Sequence, residues 1–282
     1  MSAPTLPADS SSTITNAESA PAIVFDNVAI AFGDNEVLRG VSFSLPRGQT
    51  KALFGVAGSG KSLILKLAIG LIRPDSGRII VLGHDVTQMS EEELFDLRGK
   101  IGMVFQESAL FDSLTVSENV AYRLMGVHSI YNDEIDRRVR EVLRFVELEH
   151  TLDLYPAELS GGMKRRVAIA RALITQPELL LYDSPTGGLD PVTSNTIIEL
   201  IVKQRDVNLT SALMVTHRLQ DAFTMATHHF DKQTNRMVPL PRGQHCEVPM
   251  SFLVLRDGKV IFDGDMQELA NSQDEYIREY IS

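Results

Sequence analysis

The chain has 282 residues, of which 44% are hydrophobic and 23% are charged, so it can bury a sizeable core and wholesale disorder is excluded. Lysine and arginine number 27 against 37 aspartates and glutamates, and this net charge of −10 argues against a general binder of nucleic acid. The single cysteine, Cys246, excludes an internal disulfide framework. Apolar stretches are too short for a membrane span, and no Lys or Arg precedes Arg39, so we expect a soluble, cytoplasmic protein.

The first 22 residues are rich in Ser, Thr, Ala and Pro and contain almost no large apolar residues. Such a segment cannot bury enough surface to offset the entropy that ordering costs. We therefore predict a disordered tail over residues 1–22 and one domain over residues 23–282. Strands are predicted where apolar and polar residues alternate, at residues 23–25, 28–30 and 41–45, and after a turn at residues 78–82.

The middle of the chain has apolar residues at helical spacing, which predicts a helical subdomain over roughly residues 97–165. These residues are Ile135, Val139, Val142, Leu143 and Val146. Two uninterrupted apolar runs follow, at residues 179–182 and 212–215, and each ends at a polar residue. This pattern is typical of buried parallel strands that present side chains at their C-terminal ends. Residues 254–261 are predicted to form a hairpin over an Asp-Gly turn.

A glycine-rich segment between a short strand and a helical-looking run fits the pattern G-x-x-x-x-G-K-[ST]. Its glycines let backbone N–H groups converge on phosphate oxygens, and the N-terminus of the following helix adds its positive end. Lys61 would reach the β- and γ-phosphates, and the hydroxyl of Ser62 would ligate Mg²⁺. The pattern predicts a site for a nucleoside triphosphate. Its residues are Gly55, Val56, Ala57, Gly58, Ser59, Gly60, Lys61 and Ser62.

A second helix N-terminus able to hold an anion is predicted at Ser160, Gly161 and Gly162, which open an amphipathic run. Taken alone, the segment is more simply explained by a serine N-cap followed by ordinary glycines. Asp183, however, ends an apolar strand 23 residues after Ser160, where it is placed to hold Mg²⁺ through water. Three further polar residues have the same kind of context, at a strand end or loop: Gln106, Asp190 and His217.

In this order the motifs resemble those of the ATP-binding subunit of ABC transporters, over about residues 23–270. The resemblance implies an α/β fold, with a RecA-like P-loop NTPase core, an antiparallel β subdomain and an inserted α-helical subdomain. It further implies an ATPase that uses ATP and Mg²⁺ and closes as a head-to-tail homodimer or heterodimer. Such a subunit would drive a separate membrane permease from the cytoplasmic face of the inner membrane, as a peripheral protein.

The resemblance also implies a role for each matching residue. Phe32 would stack on adenine in place of the usual Tyr, and Gln106 would meet Mg²⁺ and the attacking water. His217 would contact the γ-phosphate, and Asp190 corresponds to the aspartate of the D-loop. The signature motif, which grips the γ-phosphate of ATP held by the other subunit, corresponds to Ser160, Gly161 and Gly162.

The segment over residues 106–121 contains "ALFDSLTV" and then "ENVA", and it is similar to ATPases of Mce-linked, or Mla-type, lipid transporters of bacterial envelopes. That resemblance implies a phospholipid or another hydrophobic cargo and a substrate-binding lipid-transfer subunit as a further partner, although related ABC importers share much of the segment. It also places this segment against the membrane subunit. We predict that Leu110 and Phe111 dock there, the alternative being a buried packing pair.

The chain departs from the family pattern at Ser184, where a Glu that polarises the attacking water is expected after Asp183. A hydroxyl without an activating neighbour cannot accept a proton as a carboxylate does. Either hydrolysis is slow, or His217 and Gln106 position the water, or a partner chain carries the competent site. The rival functions are a non-transport ABC ATPase, for which neither a long coiled coil nor a second cassette is visible, and a slowly hydrolysing regulator.

A second departure is an apparent insertion at about residues 228–249. Its side chains include a zinc-binding set by residue type, but the spacing is not that of a regular zinc motif. The alternative is a mobile polar excursion. The candidate zinc ligands are His228, His229, His245 and Cys246.

Overall fold

The computed structural model describes residues 20–56, 58–125, 132–241, 246 and 248–281, and no helix among them is long and apolar enough to cross a membrane. The strands are β1 (Ile23–Phe32), β2 (Asn35–Leu45), β3 (Thr50–Phe54), β4 (Ser76–Val81), β5 (His84–Asp85), β6 (Ile101–Val104), β7 (Leu179–Asp183), β8 (Ser211–Val215), β9 (His228–Asp231), β10 (Arg236–Pro239), β11 (Met250–Arg256) and β12 (Lys259–Gly264). The α-helices are α1 (Lys61–Ala68), α2 (Glu91–Gly99), α3 (Val116–Ala121), α4 (Asn132–Phe145), α5 (Gly161–Leu173), α6 (Pro191–Asn208), α7 (Leu219–Thr227), α8 (Met266–Ala270) and α9 (Glu275–Ile281).

A six-stranded sheet in the order β12-β11-β3-β8-β7-β6 forms the centre of the domain. Its strands from β11 to β6 are parallel, and β12 returns antiparallel to β11 after the predicted Asp-Gly turn, so the predicted hairpin is confirmed. Within β7, Leu179 and Leu181 join one core cluster while Leu180 and Tyr182 join the other. Both faces of the sheet are therefore covered, which explains why this apolar run lacks polar residues.

One face of this sheet packs on α1 and on a four-stranded antiparallel sheet in the order β2-β1-β4-β5. The two short strands predicted at the start of the domain are one strand, β1, whose pairing with β2 shifts register between Phe25 and Val28. Ala22, the last residue of the predicted tail, is buried, and its N–H donates to the carbonyl of Leu45 at 2.8 Å. Residues 1–19 of that tail lie outside the described residues.

The other face packs on α3, α5 and α6. The helical region begins later than residue 97, because Ile101–Val104 forms the edge strand β6, whose Ile101 and Val104 are buried. It also ends later than residue 165, since α5 continues to Leu173.

Residues 228–239 of the predicted insertion form a hairpin, β9–β10, and this corrects the expectation of a mobile excursion for that part of it. The hairpin is fixed to α6, because the N–H of Phe230 donates to Asp206 at 2.8 Å and the N–H of Met237 donates to Glu199 at 2.9 Å. The ring of His228 contacts the carbonyl of Thr224. His245 lies outside the described residues, and those that are described assemble no group of three or more metal-ligating side chains.

Candidate functional site

The glycine-rich loop, residues 55–60, connects β3 to α1 at the C-terminal edge of the central sheet. It is called the phosphate loop below, after its predicted ligand. Gly55 passes so close to β11 that an added Cβ would lie 2.3 Å from the carbonyl oxygen of Leu255, and Gly60 has a φ of +92°. Both positions therefore require glycine. Val56 and Gly58 are exposed while Ser59 is buried, and Ala57 lies outside the described residues.

The start of α1 is arranged to receive an anion. Its N-cap residue, Gly60, has no side chain that could accept a hydrogen bond from the first N–H groups of the helix. The ammonium of Lys61 is folded into the loop, where it donates to the carbonyls of Gly55 at 2.8 Å and Val56 at 2.7 Å. Burial lowers the pKa of Lys61, and the nearby carboxylate of Asp183 partly offsets this. A phosphate group in the loop would give this partly desolvated cation an anionic partner.

The hydroxyl of Ser62 donates to the carboxylate of Asp183 at 2.9 Å, although 121 residues separate the two in the chain. The pairing follows from the fold, because Ser62 is in the first turn of α1 and Asp183 ends β7 beside the loop. A hydroxyl and a carboxylate are the hard oxygen ligands that Mg²⁺ prefers, so this pair fits the ion. When bound there, Mg²⁺ would neutralise phosphate charge.

Three of the predicted residues lie just after the ends of neighbouring parallel strands: Gln106 after β6, Ser184 after β7 and His217 after β8. A Cβ added at Gly187 would lie 3.4 Å from the Cβ of Ser184 and 3.5 Å from the Cγ of Gln106. The side chains of Ser184 and Gln106 therefore both lie beside Gly187. Ser184 has a φ of +44° and donates its N–H to the carbonyl of Val215 at 2.8 Å. Strained backbone of this kind is concentrated at functional sites.

Arg165 on α5 is a residue of this site that the sequence analysis missed. Its guanidinium donates to the carbonyls of Phe105 at 2.8 Å and Gly187 at 3.1 Å, and also to that of Gln106. Arg165 is 5% exposed, although charged residues are rarely buried without a partner. Its place on the buried side of the amphipathic helix α5 was the signal that the sequence offered. The contacts tie the turn that carries Gln106 to the turn that follows Ser184.

The predicted signature, Ser160 to Gly162, forms the N-terminus of α5 and lies against the start of α6. Ser160 is the N-cap, and its hydroxyl accepts the N–H of Met163 at 3.2 Å. A Cβ at Gly162 would lie 2.5 Å from the Cγ2 of Thr193, so the glycine permits this close approach. Asp190 caps α6 in turn, accepting the N–H groups of residues 192 and 193 at 3.0 Å. The hydroxyl of Thr193 is the main cause of the lowered pKa of Asp190.

Phe32 is at the end of β1, with 54% of its surface exposed. It pairs with Asn35 at the start of β2, and the next residues of β2 approach the phosphate loop. There a Cβ at Gly60 would lie 2.9 Å from Leu38 and 3.1 Å from Val37. The ring of Phe32 is thus an exposed aromatic surface near the place where β2 approaches the phosphate loop.

Comparison with known proteins agrees with this arrangement. Residues 38–187 match the family described as ABC transporter. The chain is 36% identical over 258 residues to the protein TRIGALACTOSYLDIACYLGLYCEROL 3, chloroplastic, of Arabidopsis thaliana, a match that covers 89% of this chain and 70% of that one. It is 41% identical over 206 residues to the methionine import ATP-binding protein MetN of Bifidobacterium longum, covering 71% of this chain but about half, 51%, of the relative.

Among solved structures, a dimeric ATP-binding cassette in a post-hydrolysis state bound to ADP and Pi superposes with a TM-score of 0.72 at 28% identity, over 86% of this chain and 98% of that one. The predicted fold class, a P-loop NTPase core with an antiparallel β subdomain, is confirmed. The chain belongs to the ABC transporter family, as an ATP-binding subunit.

Proposed function

We propose that the protein binds Mg-ATP, closes as a head-to-tail dimer and hydrolyses ATP to drive a membrane permease. The pairing of Ser62 with Asp183, beside the buried ammonium of Lys61, carries this proposal. The surface that would contact the nucleotide held by a second subunit consists of three exposed residues, Ser160, Gly161 and Asp190. The dimeric state of the related cassette supports the same arrangement.

The surface proposed for the permease is a groove of about 370 Å³ between α2, β6, α3 and α5. Its lining includes four of the exposed large hydrophobic residues of the described chain: Leu71, Phe105, Phe111 and Tyr122. Phe111 is 42% exposed and its ring lies 4.5 Å from that of Tyr122, whereas Leu110 is partly buried against the core. Of the predicted docking pair, Phe111 is thus the residue available to a partner.

The loop that presents Phe111 is held by Asn119, which is fully buried. The carbonyl oxygen of its side chain accepts the N–H of Phe111 at 2.8 Å, and its amide donates to the carbonyls of Phe111 and Leu114 at 3.0 Å. A buried amide with several partners fixes the backbone that carries this ring. This geometry gives a physical reason for the "ALFDSLTV" and "ENVA" segments, since the second supplies the amide that holds the first.

The same groove carries the guanidinium groups of Arg123 and Arg171. Burial is the main cause of the lowered pKa of each, and like charge adds to it: Arg98 for Arg123, and Arg123 for Arg171. An apolar segment that brings a carboxylate would relieve this repulsion. The proposed partner is therefore a cytoplasmic permease segment with an apolar face and an acidic residue.

For the cargo we propose a phospholipid or another hydrophobic molecule. The resemblance of residues 106–121 supports this class, and so does the glycerolipid in the name of the Arabidopsis relative. Methionine is the second candidate, favoured by the similarity to methionine import ATP-binding proteins. A non-transport ABC ATPase and a regulator with slow turnover remain the rival functions.

The test is to isolate the protein with its native membrane partners by an affinity tag, identify the chains and analyse bound molecules by mass spectrometry. We expect a permease, a second ATP-binding chain and a lipid retained in stoichiometric amount, together with a substrate-binding lipid-transfer subunit. Saturable methionine binding without lipid would replace the lipid proposal with methionine import. Recovery without any membrane protein would contradict the transport function.

A further inference from the structure

Asp221, on α7, is a carboxylate with 4% of its surface exposed. One of its oxygens accepts the hydroxyl of Thr186, two residues after Ser184, and the other lies 3.6 Å from the Nε of Arg218. Arg218 directly follows His217, and its N–H donates to the hydroxyl of Thr216 at 3.0 Å. Asp221 therefore connects the turn after β7 to the turn after β8.

The connection continues to α6 through Arg218. The Nη1 of Arg218 donates to the hydroxyl of Ser194 at 2.7 Å, and Ser194 is fully buried. The N–H of Ser194 in turn donates to the carbonyl of Asp190 at 2.9 Å. One set of contacts thus joins the neighbours of Ser184, His217 and Asp190.

The surroundings of Asp221 disfavour the charged form of its carboxyl group. Burial raises its pKa, and the hydrogen bond from Thr186 and the electrostatic influence of Arg218 and His217 oppose the rise without cancelling it. Because the folded-state pKa is higher than the unfolded one, this group makes the folded state less stable at neutral pH than at a pH below both values. A buried ionisable group that lies next to a candidate reactive site is itself a candidate for function.

We propose that Asp221 is a positioning residue for ATP hydrolysis, which holds His217 in a fixed place relative to Asp183 and Ser184. The inference rests on the proposed function. Ser184 offers no carboxylate to the attacking water, so correct placement of the water falls on Gln106 and His217. Arg165 fixes the turn of Gln106. Asp221, through Arg218 and Thr186, does the same for the turn of His217.

The first test is Asp221→Asn, which keeps the shape and an oxygen acceptor for Thr186 but removes the charge facing Arg218. We expect kcat to fall about tenfold, because small misplacements of a reacting group have effects of this size or larger. The ATP dissociation constant should stay within about twofold and the melting temperature should change little, because Asn keeps the shape of the side chain and an acceptor for Thr186. A merely structural role would instead lower the melting temperature.

The matched control is Asp231→Asn, the same chemical change at a partly exposed aspartate whose carboxylate holds the turn between β9 and β10. Its kcat should stay within about twofold of the parent value. Arg218→Gln should reproduce the loss seen for Asp221→Asn, and the double variant should lose little more, because residues that act as a unit have non-additive effects.

Rates should be measured by single turnover in the parent and in a Ser184→Glu background. An unchanged kcat in Asp221→Asn, fully additive losses in the double variant, or a fall in kcat matched by weaker ATP binding and lower stability would each overturn the inference. Absence of turnover in both backgrounds would contradict the proposed ATPase function itself, and this inference with it.

Discussion

The hydroxyl of Ser62 lies 2.9 Å from the carboxylate of Asp183, so the first turn of α1 and the end of β7 meet at one point beside the phosphate loop. The meeting places the ammonium of Lys61 near that carboxylate, whose charge raises its pKa against the effect of burial. The site therefore brings a cation, a hydroxyl and a carboxylate together at the C-terminal edge of the sheet, beside the glycine-rich loop.

Lys61→Ala is predicted to abolish Mg-ATP binding at near-physiological nucleotide while the fold stays intact. The change removes the buried ammonium that would pair with the β- and γ-phosphates. Binding should be measured by calorimetry or with a fluorescent nucleotide, with circular dichroism to confirm folding. Lys66→Ala, the same change at an exposed position of α1, is the control and should bind normally. Equal affinity in the Lys61 variant would refute the phosphate-loop assignment.

Ser160→Arg is predicted to leave ATP binding by the monomer nearly unchanged but to prevent ATP-driven dimerisation. Ser160 is exposed at the N-terminus of α5, and a bulky cation there would block the nucleotide of an opposing subunit. Light scattering with and without Mg-ATP measures the effect. Ser90→Arg is the matched control, because Ser90 is also an exposed N-cap serine, on α2, and its loss removes a cap without touching the signature. If the Ser160 variant dimerises as the parent does, the signature does not act across the dimer.

Local pattern was sufficient for the parts of the site that a few consecutive residues determine. The phosphate loop and the strand ends at Asp183 and His217 follow from glycine spacing and from apolar runs that end in a polar residue. Arg165 and Asp221 were missed because their partners are distant in the chain: Arg165 is 22 residues from Gly187, and Asp221 is 35 residues from Thr186. Such pairings become visible only once the strands are arranged in a sheet.

The errors in the fold have similar causes. The strand β6 has four residues, one of them Gly102, and the sequence shows no strand periodicity there. Its glycine is explained by α5, because a Cβ would lie 2.5 Å from the carbonyl oxygen of Ala172. The β9–β10 hairpin is polar and short, and it is fixed by contacts with α6, among them the ammonium of Lys203, which lies 5.3 Å from the ring centre of Phe230. Those contacts have no counterpart in the local sequence of the hairpin.

Phe111→Ala is predicted to weaken association with the permease about tenfold or more, with ATP binding unchanged. An exposed aromatic ring in a groove is a typical interface anchor, and truncating one often costs about 2 kcal/mol or more. The loop itself should persist, since Asn119 holds it through the backbone of residue 111. Co-purification and a binding titration with the detergent-solubilised permease measure the effect. Val207→Ala, at a residue of similar exposure on α6, is the control. Undiminished binding of the Phe111 variant would exclude this groove as the docking site.

The last prediction concerns Ser184, which occupies the position of a water-polarising carboxylate in the family pattern. General-base assistance is worth about 10²–10⁴ in rate, or roughly 3–5 kcal/mol of barrier. A homodimer would lack the base in both sites and should hold ATP in a long-lived closed state. A partner chain bearing the carboxylate would keep one competent site, which the signature of this chain would serve.

We therefore expect slow hydrolysis by the purified homodimer, and at least a tenfold acceleration in Ser184→Glu. The backbone at residue 184 already has a positive φ, and its N–H donates to the carbonyl of Val215. The substitution therefore changes the side chain and leaves these backbone features in place. The new carboxylate would extend from the Cβ of residue 184, which lies beside Gly187 as the side chain of Gln106 does. Turnover should be measured at saturating Mg-ATP with the permease present, and Ser184→Gln, of similar size but unable to accept a proton at neutral pH, is the control. Fast turnover by the parent, with no gain in the Glu variant, would mean that another group supplies the base.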